Sequence, residues 1–159
     1  MIDLSLLFNW LFQTGVAFLA TITFAIIFHT PRREWLFCGI TGGLGWLVYL
    51  ICMSADMGVV ASSFFATLAL AWISRIFAFC RKTPVTVFLI SGIFPLVPGA
   101  GIYYTGYNVF MSDNAQALAK GMETIKIAVA IALGIGIVLS LPAFFFTLHR
   151  SGGKSGKRS

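Results

Sequence analysis

Charge is the scarcest property of this sequence. Only 10% of its 159 residues are charged, whereas about a quarter of the residues in a soluble globular domain are. The apolar fraction is 58% and the mean hydropathy is +0.93. These values exclude an ordinary cytoplasmic globule, a second soluble domain and a nucleotide-binding Rossmann or P-loop module. They leave a small polytopic membrane protein.

Cysteine and histidine are also rare. Cys38, Cys52 and Cys80 form no CxxC pair and lie in or beside apolar runs, which indicates packing residues rather than a disulfide framework or a zinc site. His29 and His149 lie at the ends of apolar runs, without a carboxylate or cysteine at ligand spacing. No Ser/His/Asp or Cys/His set can be assembled. We therefore expect no metal, no cofactor and no enzymatic activity.

The charges that are present are mostly basic, and the formal net charge is +6. In a soluble protein such an excess would suggest nucleic acid as the partner. Here the basic residues adjoin apolar runs, and no basic stripe alternates with exposed aromatic residues. The expected partner is therefore the lipid bilayer and not nucleic acid.

Apolar runs long enough to cross a bilayer, about 20 residues each, occur five times. They cover approximately residues 6–28, 35–53, 57–79, 85–111 and 122–148. The runs are too long for strands and lack period-two alternation, so the sequence predicts an all-α polytopic protein whose fourth span is broken at Pro95–Gly101. Residues 1–148 form the predicted transmembrane helical domain, and residues 149–159 form a polar basic tail.

Basic residues in the short loops predict the orientation of the spans. With five spans, the first loop, the third loop and the tail share one side of the membrane. That side holds nine of the eleven basic residues, Arg32, Arg33, Arg75, Arg81, Lys82, Arg150, Lys154, Lys157 and Arg158. The positive-inside rule then places the N-terminus outside and the C-terminus in the cytoplasm, in the inner membrane. The polar link Ser112–Gly121 is interpreted as a gate or simply a loop.

The break in the fourth span is the most informative segment. A proline lacks the amide donor and clashes with the carbonyl four residues back, so Pro98 is expected to free the carbonyl of Phe94. The half-helix that begins near Pro98 directs its positive end at the break and suits a carboxylate, while freed carbonyls suit an ammonium group. The break thus fits an amino-acid zwitterion, as broken helices do in many transporters; a kink that only shapes packing is the alternative. The predicted substrate-binding residues are Pro95, Pro98, Gly99, Gly101, Tyr103, Tyr104 and Thr105.

Three further features admit two interpretations each. Gly42, Gly43 and Gly45 have the spacing at which helices approach closely, or they contact substrate directly. Arg75 follows a long apolar run and either extends to the interface or forms a gating or partner ion pair. Glu123 either forms a helix-surface pair with Lys126, three residues away, or it is part of an external gate.

Four segments carry a family resemblance: Gly42-Gly43-Leu44-Gly45-Trp46, Pro84 to Ile90, Pro95 to Tyr104, and Gly121-Met122-Glu123-Thr124. They resemble the threonine/serine exporter family, and in particular the small integral-membrane subunit that corresponds to that exporter's C-terminal half. The resemblance implies a second membrane subunit with about five spans and a soluble N-terminal region. It also implies export of small amino acids, threonine and serine, driven by an ion gradient, with protons as the coupling ion. The family often has an acidic residue near the place of Arg75, and this sequence departs from that pattern.

Two alternatives to an amino-acid exporter subunit stay open. A dicarboxylate exporter of the same architecture, with a substrate such as succinate, would need extra positive charge near the site. A non-transporting scaffold for a transporting partner would tolerate changes at the break but not at the packing glycines.

Overall fold

The computed structural model describes residues 4–141. The predicted tail at 149–159, the end of the predicted fifth span and His149 lie outside these residues. The described part of the chain is built from helices, which we number α1 (Leu4–Ile27), α2 (Trp35–Ser54), α3 (Gly58–Arg81), α4 (Val85–Ile93), α5 (Gly99–Phe110) and α6 (Asn114–Ser140). Short 3-10 turns lie at Arg32–Glu34 and Phe94–Leu96.

The helices account for the predicted spans. By length and composition α1, α2, α3 and α6 can each cross a membrane, and α4 and α5 together pass the same test as one span with a bend of 49°. The prediction of an all-α protein with about five spans, the fourth broken, is therefore confirmed. The predicted boundaries of the first three spans agree with the structure to within about two residues.

Short turns connect the spans, and each contains one residue in the left-handed backbone region. These residues are His29, Asp56, Lys82 and Ser112, with φ of 55°, 55°, 55° and 60°. Lys82 is the C-cap of α3, and left-handed residues commonly end helices in this way. Pro84 then precedes α4 with an extended ψ of 137°, because a proline cannot continue the preceding helix.

The fifth span begins earlier than predicted. Asp113 caps α6 by accepting a hydrogen bond from the backbone N–H of Gln116 at 3.1 Å, and the helix begins at Asn114 rather than near Met122. The interpretation of Ser112–Gly121 as a loop is therefore wrong for most of its length. Hydropathy detects apolar length, whereas an N-cap and good helix formers extend a helix into a polar sequence.

Small residues dominate the interior. The buried positions of α1, α2 and α3 are largely alanine, glycine, serine and threonine, and Phe88 and Leu70 are the largest of the fully buried side chains. Helices in a membrane associate by close packing of such small residues rather than by a hydrophobic driving force. Helix α2 packs between α1 and α3, and α3 packs against α6.

An ion pair joins the first loop to the end of α3. The Glu34 side chain is 8% exposed and accepts hydrogen bonds from Arg81 Nε and Nη2, each at 3.0 Å. The Arg81 guanidinium also lies 4.6 Å from the ring centre of Phe37. This contact shows that the α1–α2 connection and the C-terminal end of α3 lie at the same end of the bundle.

We expect Arg81→Ala to lower the melting temperature of the detergent-solubilised protein by about 5 °C or more, because it leaves the buried Glu34 carboxylate without its partner. The matched control is Glu123→Ala, which removes the exposed pair that Glu123 forms with Lys120 and should change the melting temperature by about 1 °C at most. The double variant Glu34→Ala/Arg81→Ala should recover part of the loss. Equal effects of the two single variants would contradict the prediction.

Candidate functional site at the break

The fourth span changes direction over five residues. Helix α4 ends at Ile93, the next three residues form a 3-10 turn, and Val97 is extended with φ −60° and ψ 130°. Pro98 is the N-cap of α5, and Gly99 is its first residue. The two prolines enforce this arrangement, since neither can donate the hydrogen bond that a continuous helix would need.

Some of the backbone hydrogen-bonding groups at the break find partners within the break itself. The N–H of Val97 donates to the carbonyls of both Ile93 and Phe94, each at 3.2 Å. The prediction that Pro98 frees the carbonyl of Phe94 is therefore wrong, because the 3-10 turn supplies another donor. At the start of α5 the amides of Ala100 and Gly101 have no backbone acceptor among the described residues, as is usual for the first turn of a helix.

A cavity of about 290 Å³ lies beside Gly99 and Ala100 at the start of α5, and we call it the break cavity. Its walls come from four helices and from the break itself: Trp46, Tyr49, Val59, Ser63, Ile127 and residues 95–100. Pockets of about 300 Å³ or more are typical of small-molecule sites. Trp46 lies near the middle of α2, so the break faces the interior of the bundle at mid-helix depth, as the sequence predicted.

A second cavity of about 310 Å³, which we call the α1 cavity, adjoins the first. It is lined by Phe12, Gln13, Val16, Ala17, Ala20, Trp46 and Pro95. Trp46 and Pro95 line both cavities. These two residues therefore lie at the border shared by the two cavities, at the point where the fourth span is broken.

Trp46 has a polar atom without a partner. Its indole Nε1 is buried, and no described residue accepts a hydrogen bond from it. The ring packs on Tyr49, one turn later in α2, with centroids 5.1 Å apart. A buried donor that lacks an acceptor costs about 1–3 kcal/mol. Most of the buried serine and threonine hydroxyls, by contrast, donate to carbonyls in their own helix.

The structure separates the predicted substrate-binding residues into three groups. Pro95, Pro98 and Gly99 lie together in the wall of the break cavity. Tyr103 and Tyr104 lie on the outer surface of α5 and are 65% and 53% exposed, and the described residues that line the cavity include neither. Their role as substrate liners stays a prediction.

Gly101 and Thr105 belong to the contact between α5 and α6. A Cβ at Gly101 would overlap the hydroxyl of Thr124, and one at Gly121 would lie 3.3 Å from Cγ2 of Thr105. The Thr105 hydroxyl donates to the carbonyl of Gly101 at 2.7 Å. These two residues hold α5 against α6, and neither is among the described residues that line the break cavity.

A family model described as "Threonine/Serine exporter, ThrE" matches residues 13–141 of this chain. The chain belongs to the threonine/serine exporter family. The family is one of membrane transporters, so the chain is part of a multi-pass membrane protein, and the prediction that it is not an enzyme is confirmed.

Two proteins from other organisms are similar in sequence to this member of the threonine/serine exporter family. A Mycobacterium tuberculosis protein named "Probable threonine/serine exporter" is 27% identical over 124 residues, which are 77% of this chain and 23% of that protein. A Haemophilus influenzae protein named "Uncharacterized protein" is 25% identical over 147 residues, which are 90% of this chain and 48% of that protein. The chain thus spans less than half the length of these relatives. No solved structure matches it.

The glycines of α2 in this family member lie at helix contacts. A Cβ at Gly42 would overlap the side chain of Thr21 in α1, and one at Gly45 would lie 2.9 Å from Cδ1 of Leu70 in α3. Gly43 also faces α1. These contacts agree with the interpretation as packing residues, while direct contact with substrate stays a prediction.

Of the two predicted gating residues, Arg75 lies in α3 and Glu123 lies in the first half of α6. Arg75 is half-buried, and its Nη1 donates to the carbonyl of Val138 near the end of α6. Glu123 is paired with Lys120 at 3.1 Å, so the predicted pair with Lys126 is wrong. Because α6 begins before Lys120, a basic residue one turn earlier on the same helix face is available to Glu123. Gating by either residue stays a prediction.

Sequence reasoning missed the residues that other helices contribute to the break cavity. Trp46, Tyr49, Val59 and Ser63 come from α2 and α3. Trp46 did carry a signal, since it directly follows the glycines of the family motif. Ser63 carried no such signal, because a single serine in an apolar run does not reveal which face of the helix it lies on. Among residues 4–141 no group of three or more His, Cys, Asp or Glu side chains could hold a metal ion.

Proposed function

We propose that this chain is a membrane subunit of a split secondary exporter of threonine and serine, and that it works with a second membrane subunit. Family membership supports export. The observation that carries the proposal is the break cavity, which places the unpartnered amide of Ala100 at the start of α5 beside a wall that carries aromatic rings and a hydroxyl group. We propose that the substrate binds there.

The amide of Ala100 suits the carboxylate of an amino acid, because the first turn of a helix carries partial positive charge and free N–H donors. Backbone carbonyls of the break and the oxygen of Ser63 are acceptors for the ammonium group. None of the described residues that line the break cavity is lysine or arginine. This composition favours a zwitterion over a dicarboxylate, whose second negative charge would need a cation.

The charge distribution supports the proposed orientation. The ion pair between Glu34 and Arg81 and the contact of Arg75 with Val138 connect the first loop with the ends of α3 and α6. Arg32, Arg33 and Lys82 lie in the same connections, so the basic end of the bundle is proposed to face the cytoplasm and the N-terminus the outside. A C-terminal tag in the inner membrane should be accessible only from the cytoplasm.

The proposed partner is a membrane protein of about five spans with a soluble N-terminal region, and the proposed coupling ion is the proton. What supports a second subunit is the matched length, since the chain spans 23% and 48% of its two relatives. Both relatives thus contain segments without a counterpart in these 159 residues.

The test is efflux of preloaded labelled threonine from cells that express this chain, the candidate partner, or both. We expect efflux with both and none with either alone, and we expect a protonophore to abolish it. Efflux with the partner alone would make this chain a scaffold. Efflux of labelled succinate but not threonine would make the substrate a dicarboxylate, and either result would overturn the proposal.

A further inference from the structure

We propose that Trp46 is a positioning residue for the substrate, and that its indole N–H donates a hydrogen bond to the side-chain hydroxyl of threonine or serine. This inference rests on the proposed function and assigns a residue to the discrimination of hydroxy amino acids from apolar ones. Three observations carry it: the state of the donor, its place between the cavities, and the other donors already present.

The donor is buried without an acceptor. The N–H of Trp35, by contrast, donates to the carbonyl of Thr30 at 2.8 Å. A tryptophan in an apolar bundle normally finds such a partner when it is buried. A phenylalanine would pack at position 46 without this unsatisfied group, so the indole N–H is unfavourable in the empty site and becomes favourable when a ligand supplies an oxygen.

The ring has room to present that donor. Trp46 borders cavities of about 290 and 310 Å³, so open space lies beside its ring. Donation to the substrate then requires the indole to turn about its side-chain bonds until the N–H faces the break cavity, and the two cavities provide the space for this turn. Because Pro95 borders both cavities, a substrate at the break lies within reach of the turned ring.

The other groups of the substrate are provided for. The amide of Ala100 suits the carboxylate, and the Ser63 hydroxyl already donates to the carbonyl of Val59 at 2.8 Å. The side-chain hydroxyl of threonine then needs a donor, and the indole N–H is one that is not in use. A site that hydrogen-bonds a substrate hydroxyl rejects the analogue without it, because its polar group is then left unpaired.

The test compares threonine with valine, which has the same shape but a methyl group in place of the hydroxyl. Efflux of both labelled amino acids is measured with the partner co-expressed, in wild type, Trp46→Phe and Trp46→His, with Trp35→Phe as the matched control. We expect Trp46→Phe to reduce the threonine-to-valine ratio about tenfold, Trp46→His to recover part of it with its ring N–H, and Trp35→Phe to leave it unchanged.

An unchanged ratio in Trp46→Phe, with threonine still exported, would overturn this inference and leave the proposed function intact. Absence of threonine efflux in wild type would instead overturn the proposed function. A second measurement covers variants that fail to insert. With Trp10, Trp35 and Trp72 replaced by phenylalanine, threonine should shift the fluorescence of Trp46 in the purified assembly and valine should not; equal responses to both would contradict the inference.

Discussion

Gly42→Ala is expected to destabilise the protein by about 2–3 kcal/mol, more than any other single methyl group added to α2. The new Cβ would overlap the Thr21 side chain. Thr21 cannot easily move away, since it is fully buried and its hydroxyl donates to the carbonyl of Ala17 at 2.8 Å. Helices α1 and α2 must then separate, and every small-residue contact along them is weakened. Thermal unfolding in detergent measures the effect.

Gly136→Ala is the matched control. A Cβ there meets nothing within 4 Å, and α6 should gain up to about 1 kcal/mol because alanine favours a helix over glycine. If the same glycine-to-alanine change lowers the stability at position 42 and raises it at position 136, the contact of Gly42 with α1 decides the result. The double variant Thr21→Gly/Gly42→Ala should restore much of the stability, because it removes the Thr21 side chain that the new methyl group at position 42 would overlap. A Gly42→Ala protein as stable as wild type would show that this contact is unimportant.

Pro98→Leu with Gly99→Leu is expected to abolish threonine efflux while the protein still inserts into the membrane. Leucine at 98 restores an amide donor, which favours a straighter connection between α4 and α5. Leucine at 99 adds a side chain at the wall of the break cavity. Both changes act on the proposed substrate site and leave the contacts of α1 with α2 intact.

The control for this double variant is Gly106→Leu, which lies further along α5 at a position where a Cβ meets nothing within 4 Å. It should preserve efflux. Membrane abundance of all variants is measured alongside transport with the partner present. Full efflux in the Pro98→Leu/Gly99→Leu protein would remove the break from the mechanism and favour a scaffold.

The spans were predictable because each is a run of apolar residues bounded by turns, which can be recognised without knowledge of the tertiary contacts. The break was predictable for a similar reason, since Pro95 and Pro98 act on the backbone whatever surrounds them. The start of α6 was not, because Asp113 acts as a cap only in the geometry of its own turn.

Side-chain partners were much less predictable than helices. Nothing in the spacing showed that Glu34 would meet Arg81, forty-seven residues later, or that Trp46 would border the break. Tyr103 and Tyr104 follow the break closely in sequence, yet they project from an exposed face of α5. Contacts of this kind depend on the rotation of each helix about its axis, which an apolar run with hydrophobic residues on all sides does not fix.

The bend in the fourth span has a consequence for biogenesis. Helix α4 has 9 residues and α5 has 12, so at 1.5 Å per residue each covers only about half of a 30 Å hydrocarbon core. Neither half is a membrane anchor by itself, and α5 has no buried residue of its own. Helix α4 packs against α2 and α3, which precede it in the chain, whereas α5 packs mainly against α6, which follows it. We therefore expect the second half of the fourth span to reach its final packing only after α6 has been translated.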